Sequence, residues 1–232
     1  MSWTGELIDE LALAGPEHLD PDYVTAYDEK AGFDADAADE VELLKRVGLG
    51  PGSTLVDLGA GTGTLALAAA PACRRVVAVD VSPAMFAAMR SKIERAGVAN
   101  VECVQAGFLS YEHRGEPADV VYSRNALHHL PDFWKAVALE RIARMLRPGG
   151  ILRLRDIVYS FDPGEAERFL GAWLENGGNW TRTELEAHVR DEHSTFTWLL
   201  EPMLQRVGFE TIDADYDPRR IFARYICKLG AG

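Results

Sequence analysis

The stretch VDLGAGTG, residues 56–63, sets Gly59, Gly61 and Gly63 behind an apolar run that carries an acid, Asp57. Glycines so spaced allow a tight turn and leave backbone N–H groups open to a close-lying ligand. The next apolar run, RVVAVD, ends in Asp80, 21 residues after Gly59. A carboxylate at that point can accept hydrogen bonds from both hydroxyls of a ribose. The set suits an adenosine-containing ligand. A plain strand–helix turn is the structural alternative for the glycines. The dinucleotide pattern G-x-G-x-x-G needs a third glycine where this chain has Thr64, so the spacing here is G-x-G-x-G.

A second set follows the run ADVVYS: Ser123, Arg124, Asn125, His128 and His129, with Asp156 and His193 further on. Histidine titrates near neutrality and can take a proton from a reacting group. Neighbouring side chains diverge in both helices and strands, so at most one of His128 and His129 faces a given cleft. A hydrogen-bonded structural role competes for each histidine. For Asp156 the competing role is an ion pair with Arg153 or Arg155.

The elements that must position these groups alternate. TLVDLG (54–59), RVVAVD (75–80), VECVQA (101–106), ADVVYS (118–123) and ILRLRDIVY (151–159) read as strands. Between them, helices are expected over 62–70, stopped by Pro71, from the cap Ser82-Pro83 to Gly97, and over about 132–146, closed by RPGG. This rhythm predicts parallel βαβ crossovers and a doubly wound α/β fold. Upstream, Trp3, Leu7, Ile8 and Leu11 fall at helical spacing and AADEVELLKRV forms a second helix ended by Gly48. Residues 161–196 break the pattern and read as an inserted lid rich in Trp173, Trp180 and Phe196, followed closely by Trp198. Those aromatics line an apolar pocket or form the lid's own small core. A helix over 197–209, kinked or restarted at Pro202, and a hairpin of two strands complete the chain. The expected organisation is a cap at 1–34, a core at 35–160, the lid at 161–196 and a closing segment at 197–232.

A net charge of −12, from 36 acidic and 24 basic residues, disfavours nucleic acid as a partner. Three separated cysteines, Cys73, Cys103 and Cys227, argue against a disulfide framework or a cysteine-rich zinc site. The first residues lack the basic start of a signal peptide and no apolar run has bilayer length, so the expectation is a cytoplasmic protein without a membrane segment.

VDLGAGTG, VVAVDVSPAM, VQAGFLS, ADVVYSRNALHHLPD and RMLRPGGILRL, in this order and at these intervals, resemble class I S-adenosylmethionine-dependent methyltransferases of the small-molecule branch. The similarity covers about residues 35–160. It implies a seven-stranded, mostly parallel Rossmann-like sheet whose last strand is antiparallel, with S-adenosyl-L-methionine as cofactor. It also implies that Asp57 and the loop Gly59, Ala60, Gly61 and Gly63 hold the methionine part, that Asp80 holds the ribose, and that Val81 packs on adenine. Gln105 to Phe108 reach the adenine edge, and Tyr27 closes over the cofactor's carboxylate. Related enzymes often carry Asp where this chain has Gly107, so Phe108 N–H or Gln105 would have to serve there. Ser123 and Asn125 fall beside the transferred methyl. His129 matches a position often histidine in relatives, which implies a supporting role, and His128 sits at the more variable position, suited to reading the acceptor.

Methyl transfer from a sulfonium needs alignment and dryness more than a fixed catalytic set. A base is required only where the acceptor must lose a proton. A metal-assisted mechanism would want adjacent Asp and Asn ligands at the strand ends. Asp156 is followed by Ile157, so no metal is expected. The acceptor would be a small molecule, and a homodimer is compatible with the sequence. Two other readings stay open: a non-catalytic S-adenosylmethionine-binding sensor or scaffold, and, against the Thr64 mismatch, an NAD-dependent oxidoreductase. RNA methylation is disfavoured by charge.

Overall fold

The computed structural model describes residues 7–31 and 33–230. Helices α1 (Pro21–Ala31) and α2 (Phe33–Arg46) precede β1 (Thr54–Leu58), α3 (Thr64–Ala69), β2 (Arg75–Asp80), α4 (Pro83–Ala96), β3 (Val101–Gln105) and β4 (Ala118–Arg124). Then come α5 (Asp132–Met145), β5 (Leu146–Tyr159), α6 (Ala166–Glu175), α7 (Arg182–Asp191), β6 (Thr195–Phe196) and α8 (Thr197–Arg206), with β7 (Phe209–Tyr216) and β8 (Phe222–Leu229) last. The sheet runs β3-β2-β1-β4-β5-β8-β7, and the two-residue β6 pairs with β5 off this path. Strands β1 to β5 are parallel, while β8 is antiparallel to both β5 and β7. This is the doubly wound α/β fold expected, with one short strand added.

Every residue of β1 is buried, because helices cover both faces of the sheet. Strand alternation divides the core. Val56, Leu58, Val77 and Val79 pack on one face with Leu139 and Ile142 of α5 and Leu200 and Leu204 of α8. Leu55, Val76 and Ala78 pack on the other with Leu44 of α2 and Met89 and Ile93 of α4. The order reverses direction between β1 and β4, and the crevice opens at that switch point, at the carboxyl ends of the strands.

Several local expectations need correction. Of the expected N-terminal helix, residues 1–6 lie outside the described residues and Leu7 is helical; the helix does not extend to Leu11, since residues 10–14 form turns and a bend. The Asp9 carboxylate accepts from the N–H groups of Leu11 and Ala12, an alternative that competes with helical bonding. Trp3 lies outside the described residues. The first crossover helix starts at Thr64 and not at residue 62, since Gly61 and Gly63 adopt φ of 56° and 79°. The segment RPGG does not close a helix. It lies inside β5, which starts at Leu146 and shifts register against β4 between Ala118 and Val120. Pro202 sits within one helix, whose buried Leu200 and Leu204 seat both sides of the proline on the same core. Trp173 packs with Phe161 and Leu185, and Trp180 and Phe196 pack against them, so the inserted segment spends these aromatics on its own core. Among the described residues no helix is long and apolar enough to cross a membrane.

Candidate active site

One cavity sits over the carboxyl ends of β1 to β4. Gly59, Gly61 and Gly63 have φ of 71°, 56° and 79°. The N–H groups of Gly59 and Ala60 both donate to the Val79 carbonyl at 2.9 Å, which ties the loop to the end of β2. A Cβ at Gly59 would overlap the Ala126 side chain, so the turn needs glycine there for space as well as for φ. A Cβ at Gly61 would meet nothing closer than the Tyr27 ring at 3.9 Å, so the loop is open on that side.

Asp80 holds this loop from below. Its carboxylate accepts from Gly61 N–H at 2.7 Å and Ser82 N–H at 2.9 Å. Burial raises the Asp80 carboxyl to about 6 despite those two donors. Burial, with the Asp80 charge added, raises Asp57 to about 7. Two carboxyls that titrate near neutrality in one cleft form a site that accepts positive charge.

The N-terminal segment roofs the cavity. Ser82 Oγ caps α4 by accepting from Met85 N–H and donates to the His18 carbonyl at 2.6 Å. The His18 ring lies edge-on to both Tyr27 and His129. Glu10 reaches across to β3's exit: its carboxylate accepts from Leu109 N–H and Ser110 Oγ, each at 2.9 Å. A Cβ at Gly107 would overlap that carboxylate. A carboxylate therefore stands beside Gly107, carried by Glu10 of the N-terminal segment.

Past β4 the chain turns through Asn125, at φ of 48°, whose N–H donates to the Arg155 carbonyl at 2.8 Å. Asparagine tolerates this left-handed conformation better than most residues. His129 lines the cavity, and burial together with the charge of His128 keeps its pKa well below the ordinary value. His128 turns away and is 4% exposed. Its Nδ1 lies 2.5 Å from Asp156 Oδ1, and its Nε2 lies 2.8 Å from Glu192 Oε2. Burial opposes charge on His128, but the two carboxylates overcome it and raise its pKa to about 10.

Residues 55–150 match a family model described as a methyltransferase domain. These residues form a methyltransferase domain. The chain is similar to the trans-aconitate 2-methyltransferase of Azoarcus sp. (strain BH72), 34% identical over 116 residues, covering 49% of this chain and 43% of that one. It is also similar to the 27-O-demethylrifamycin SV methyltransferase of Amycolatopsis mediterranei (strain S699), 32% identical over 152 residues, with 60% and 53% covered. The chain spans about half the length of the curated relatives it matches. The fold is shared with the N-methyltransferase NodS of Bradyrhizobium japonicum WM9, solved with S-adenosyl-L-homocysteine, at a TM-score of 0.58 and 15% identity over 82% of this chain and 86% of that one. Members of this family use S-adenosylmethionine.

The methyltransferase domain brings Asp57, Gly59, Ala60, Gly61, Asp80, Val81, Gly107, Phe108, Asn125 and His129 to the cavity wall, and Tyr27 joins them from outside the domain. Gly63, Ser123 and His128 are not on that wall. Gly63 faces Met89 and Ile93 of α4, Ser123 is fully buried within β4, and His128 points to Asp156 and Glu192. Gln105 is exposed on β3, and His193 is exposed, its N–H donating to the His128 carbonyl. Asp156 does not pair with Arg153 or Arg155. Those arginines lie on the opposite face of β5, where Arg153 forms two bonds with Glu40, at 2.9 and 3.0 Å, and Arg155 bonds Glu40 and Asp36. Sequence reasoning missed Glu10, His18, Met85 and Leu130 on the wall. The only signal for Glu10 was the departure at Gly107, which asks for an acid without saying where it stands.

Proposed function

We propose that this chain transfers the methyl group of S-adenosylmethionine to an oxygen, nitrogen or carbon nucleophile of a small molecule, releasing S-adenosylhomocysteine. The observation that carries the reading is the convergence of Asp57, Asp80, Glu10 and the bare backbone at Gly61 on one cavity that also contains His129 and Asn125. The acidic pair, the open loop and a carboxylate beside Gly107 fit a cationic adenosine ligand. Asp80 accepts from the ribose hydroxyls while keeping Gly61 N–H. Asp57, Tyr27 and the loop hold the methionine part, and a positive amino group there favours the ionised form of Asp57. Val81 and Phe108 pack on adenine, and Glu10 accepts from its amino group. The bound cofactor supplies an activated methyl. The protein aligns the acceptor and excludes water. Where the acceptor must lose a proton, the neutral His129, beside Asn125 on the wall, is a group that can take it. The relatives' names point to different acceptors, trans-aconitate and 27-O-demethylrifamycin SV, so the acceptor is not read from them.

The test pairs binding with turnover. Calorimetry with S-adenosylmethionine and with NADH is expected to give binding of the first alone; the reverse result refutes the reading. S-adenosylhomocysteine release is then followed across a panel of phenols, alcohols, amines and carboxylates. Binding without release from any of them would favour a non-catalytic binding module.

A further inference from the structure

Behind the cavity wall lies a second cluster that methyl transfer does not use. His188 and Glu192 stand four residues apart at the end of α7, so they share one helix face. His128 meets them from the turn after β4. His128 Nε2, His188 Nδ1 and a Glu192 carboxylate oxygen all lie within 4.8 Å of one another.

The contacts within the cluster are short ion-pair contacts that share one carboxylate oxygen. Glu192 Oε2 is 2.8 Å from His128 Nε2 and 2.5 Å from His188 Nδ1, and it is buried with no geometrically aligned hydrogen-bond partner among the described residues. The neighbouring His129 Nδ1, 4.0 Å from the same oxygen, is likewise buried with no hydrogen-bond partner among the described residues. Each histidine is held by its other nitrogen: His128 Nδ1 by Asp156 at 2.5 Å and His188 Nε2 by Ser194 Oγ at 3.0 Å. Both ring nitrogens of His128 face carboxylates, and a metal ion binds Nε2 by displacing its proton, which frees the lone pair. Lone pairs from two imidazoles and one carboxylate then converge on one point that calls for a cation. Histidine ligands oriented by carboxylates and hydroxyls on their far nitrogens are how proteins build metal sites. Asp156 and Glu192 also bring two negative charges into the buried cluster, which a divalent ion neutralises.

We infer that His128, His188 and Glu192 form a site for a divalent transition metal of the zinc class, oriented by Asp156 and Ser194. Two imidazoles and one carboxylate suit zinc, with a fourth position left for water. Metal–ligand lengths of about 2.0–2.1 Å hold tetrahedral ligand atoms about 3.3 Å apart. Loading therefore opens the present contacts by under an ångström, which the side chains at the end of α7 can absorb. The ion fastens the inserted segment to the turn that carries His129, next to the cavity. The site is independent of the methyl-transfer reading, since its ligands lie off the cavity wall and its test needs no cofactor.

The test uses the full chain stripped with a chelator and titrated with Zn2+ against a chromophoric competitor, and with Co2+ for its visible spectrum. One Zn2+ per chain and the absorption of tetrahedral Co2+ are expected. His188→Ala and the near-isosteric Glu192→Gln, checked for folding by circular dichroism, are expected to weaken binding more than about 100-fold. Asp156→Asn, which touches only a ligand, is expected to weaken it by about 10–100-fold. His113→Ala, whose ring bonds Tyr111 and the Glu116 carbonyl, leaves binding unchanged. Absence of Zn2+ binding by the wild type, or affinity equal in the wild type and both ligand variants, overturns the site.

Discussion

Replacing Asp80 by Asn separates the loop-holding role of this residue from its ligand-binding role. The carboxylate accepts from Gly61 N–H and Ser82 N–H. In the variant one oxygen becomes an amide NH2, so one of these charge-assisted bonds is lost, at about 1.5–3 kcal/mol. Against this stands the cost of ionising Asp80 itself. A carboxyl raised from 3.8 to about 6 carries about 3 kcal/mol of unfavourable free energy once ionised, at about 1.4 kcal/mol per pKa unit. The raised pKa means that its stability contribution is complete below pH 3.8 and is lost as pH rises through 6. At pH 8 the two effects offset, and the variant is expected to unfold at nearly the wild-type denaturant concentration. Ligand affinity does not benefit from this offset. The ribose hydroxyls lose a charged acceptor, at about 1.5–3 kcal/mol, so S-adenosylhomocysteine should bind about 10–150-fold more weakly at pH 8. At pH 5, a unit below the folded pKa, Asp80 is mostly protonated in the wild type, and the wild-type advantage should shrink by about tenfold. Removing the Asp80 charge also relieves part of the rise at Asp57 in the variant, which shrinks the wild-type advantage at pH 5 in the same direction. Isothermal calorimetry at the two pH values reads this directly. Equal affinities at pH 8, or a ratio that does not change with pH, would refute the placement of the ribose on Asp80.

Three further outcomes are expected. Glu10→Ala should weaken S-adenosylhomocysteine binding by about 1–2 kcal/mol, one hydrogen bond to the adenine amino group, and leave binding of the inosine analogue unchanged in the same calorimetric assay. Glu40→Ala strands the buried Arg153 and should destabilise the fold by about 3–5 kcal/mol in urea titrations, because an unpaired buried charge is left behind. Gly59→Ala combines left-handed strain of about 1–2 kcal/mol with overlap against Ala126 of about 1–3 kcal/mol. Gly97→Ala, also at positive φ but with open space around it, should show only the strain in thermal unfolding.

The strands, the α4 cap at Ser82, the glycine loop and Asp80 were legible because each is written in adjacent residues. Apolar runs of strand length set β1 and β2, and a serine before a proline starts α4 whatever lies nearby. Errors fell where a local signal had a competitor: Asp9 bonding the backbone N–H groups that a longer helix would use, and Pro148-Gly149-Gly150 lying inside a strand where they read as a loop.

The sequence by itself determined that a bare loop and an acid face one end of a parallel sheet. It determined that only one of two adjacent histidines could look into the cleft, since neighbouring side chains diverge. Only the tertiary structure decided that His129 takes that place. It also sent Asp156 to His128 by putting the arginines on the opposite face of β5, and it brought Glu10 to Gly107 across a separation of about a hundred residues. Such pairings depend on which elements dock, and docking is driven by buried apolar area, which fixes where backbones lie without encoding which polar groups will meet.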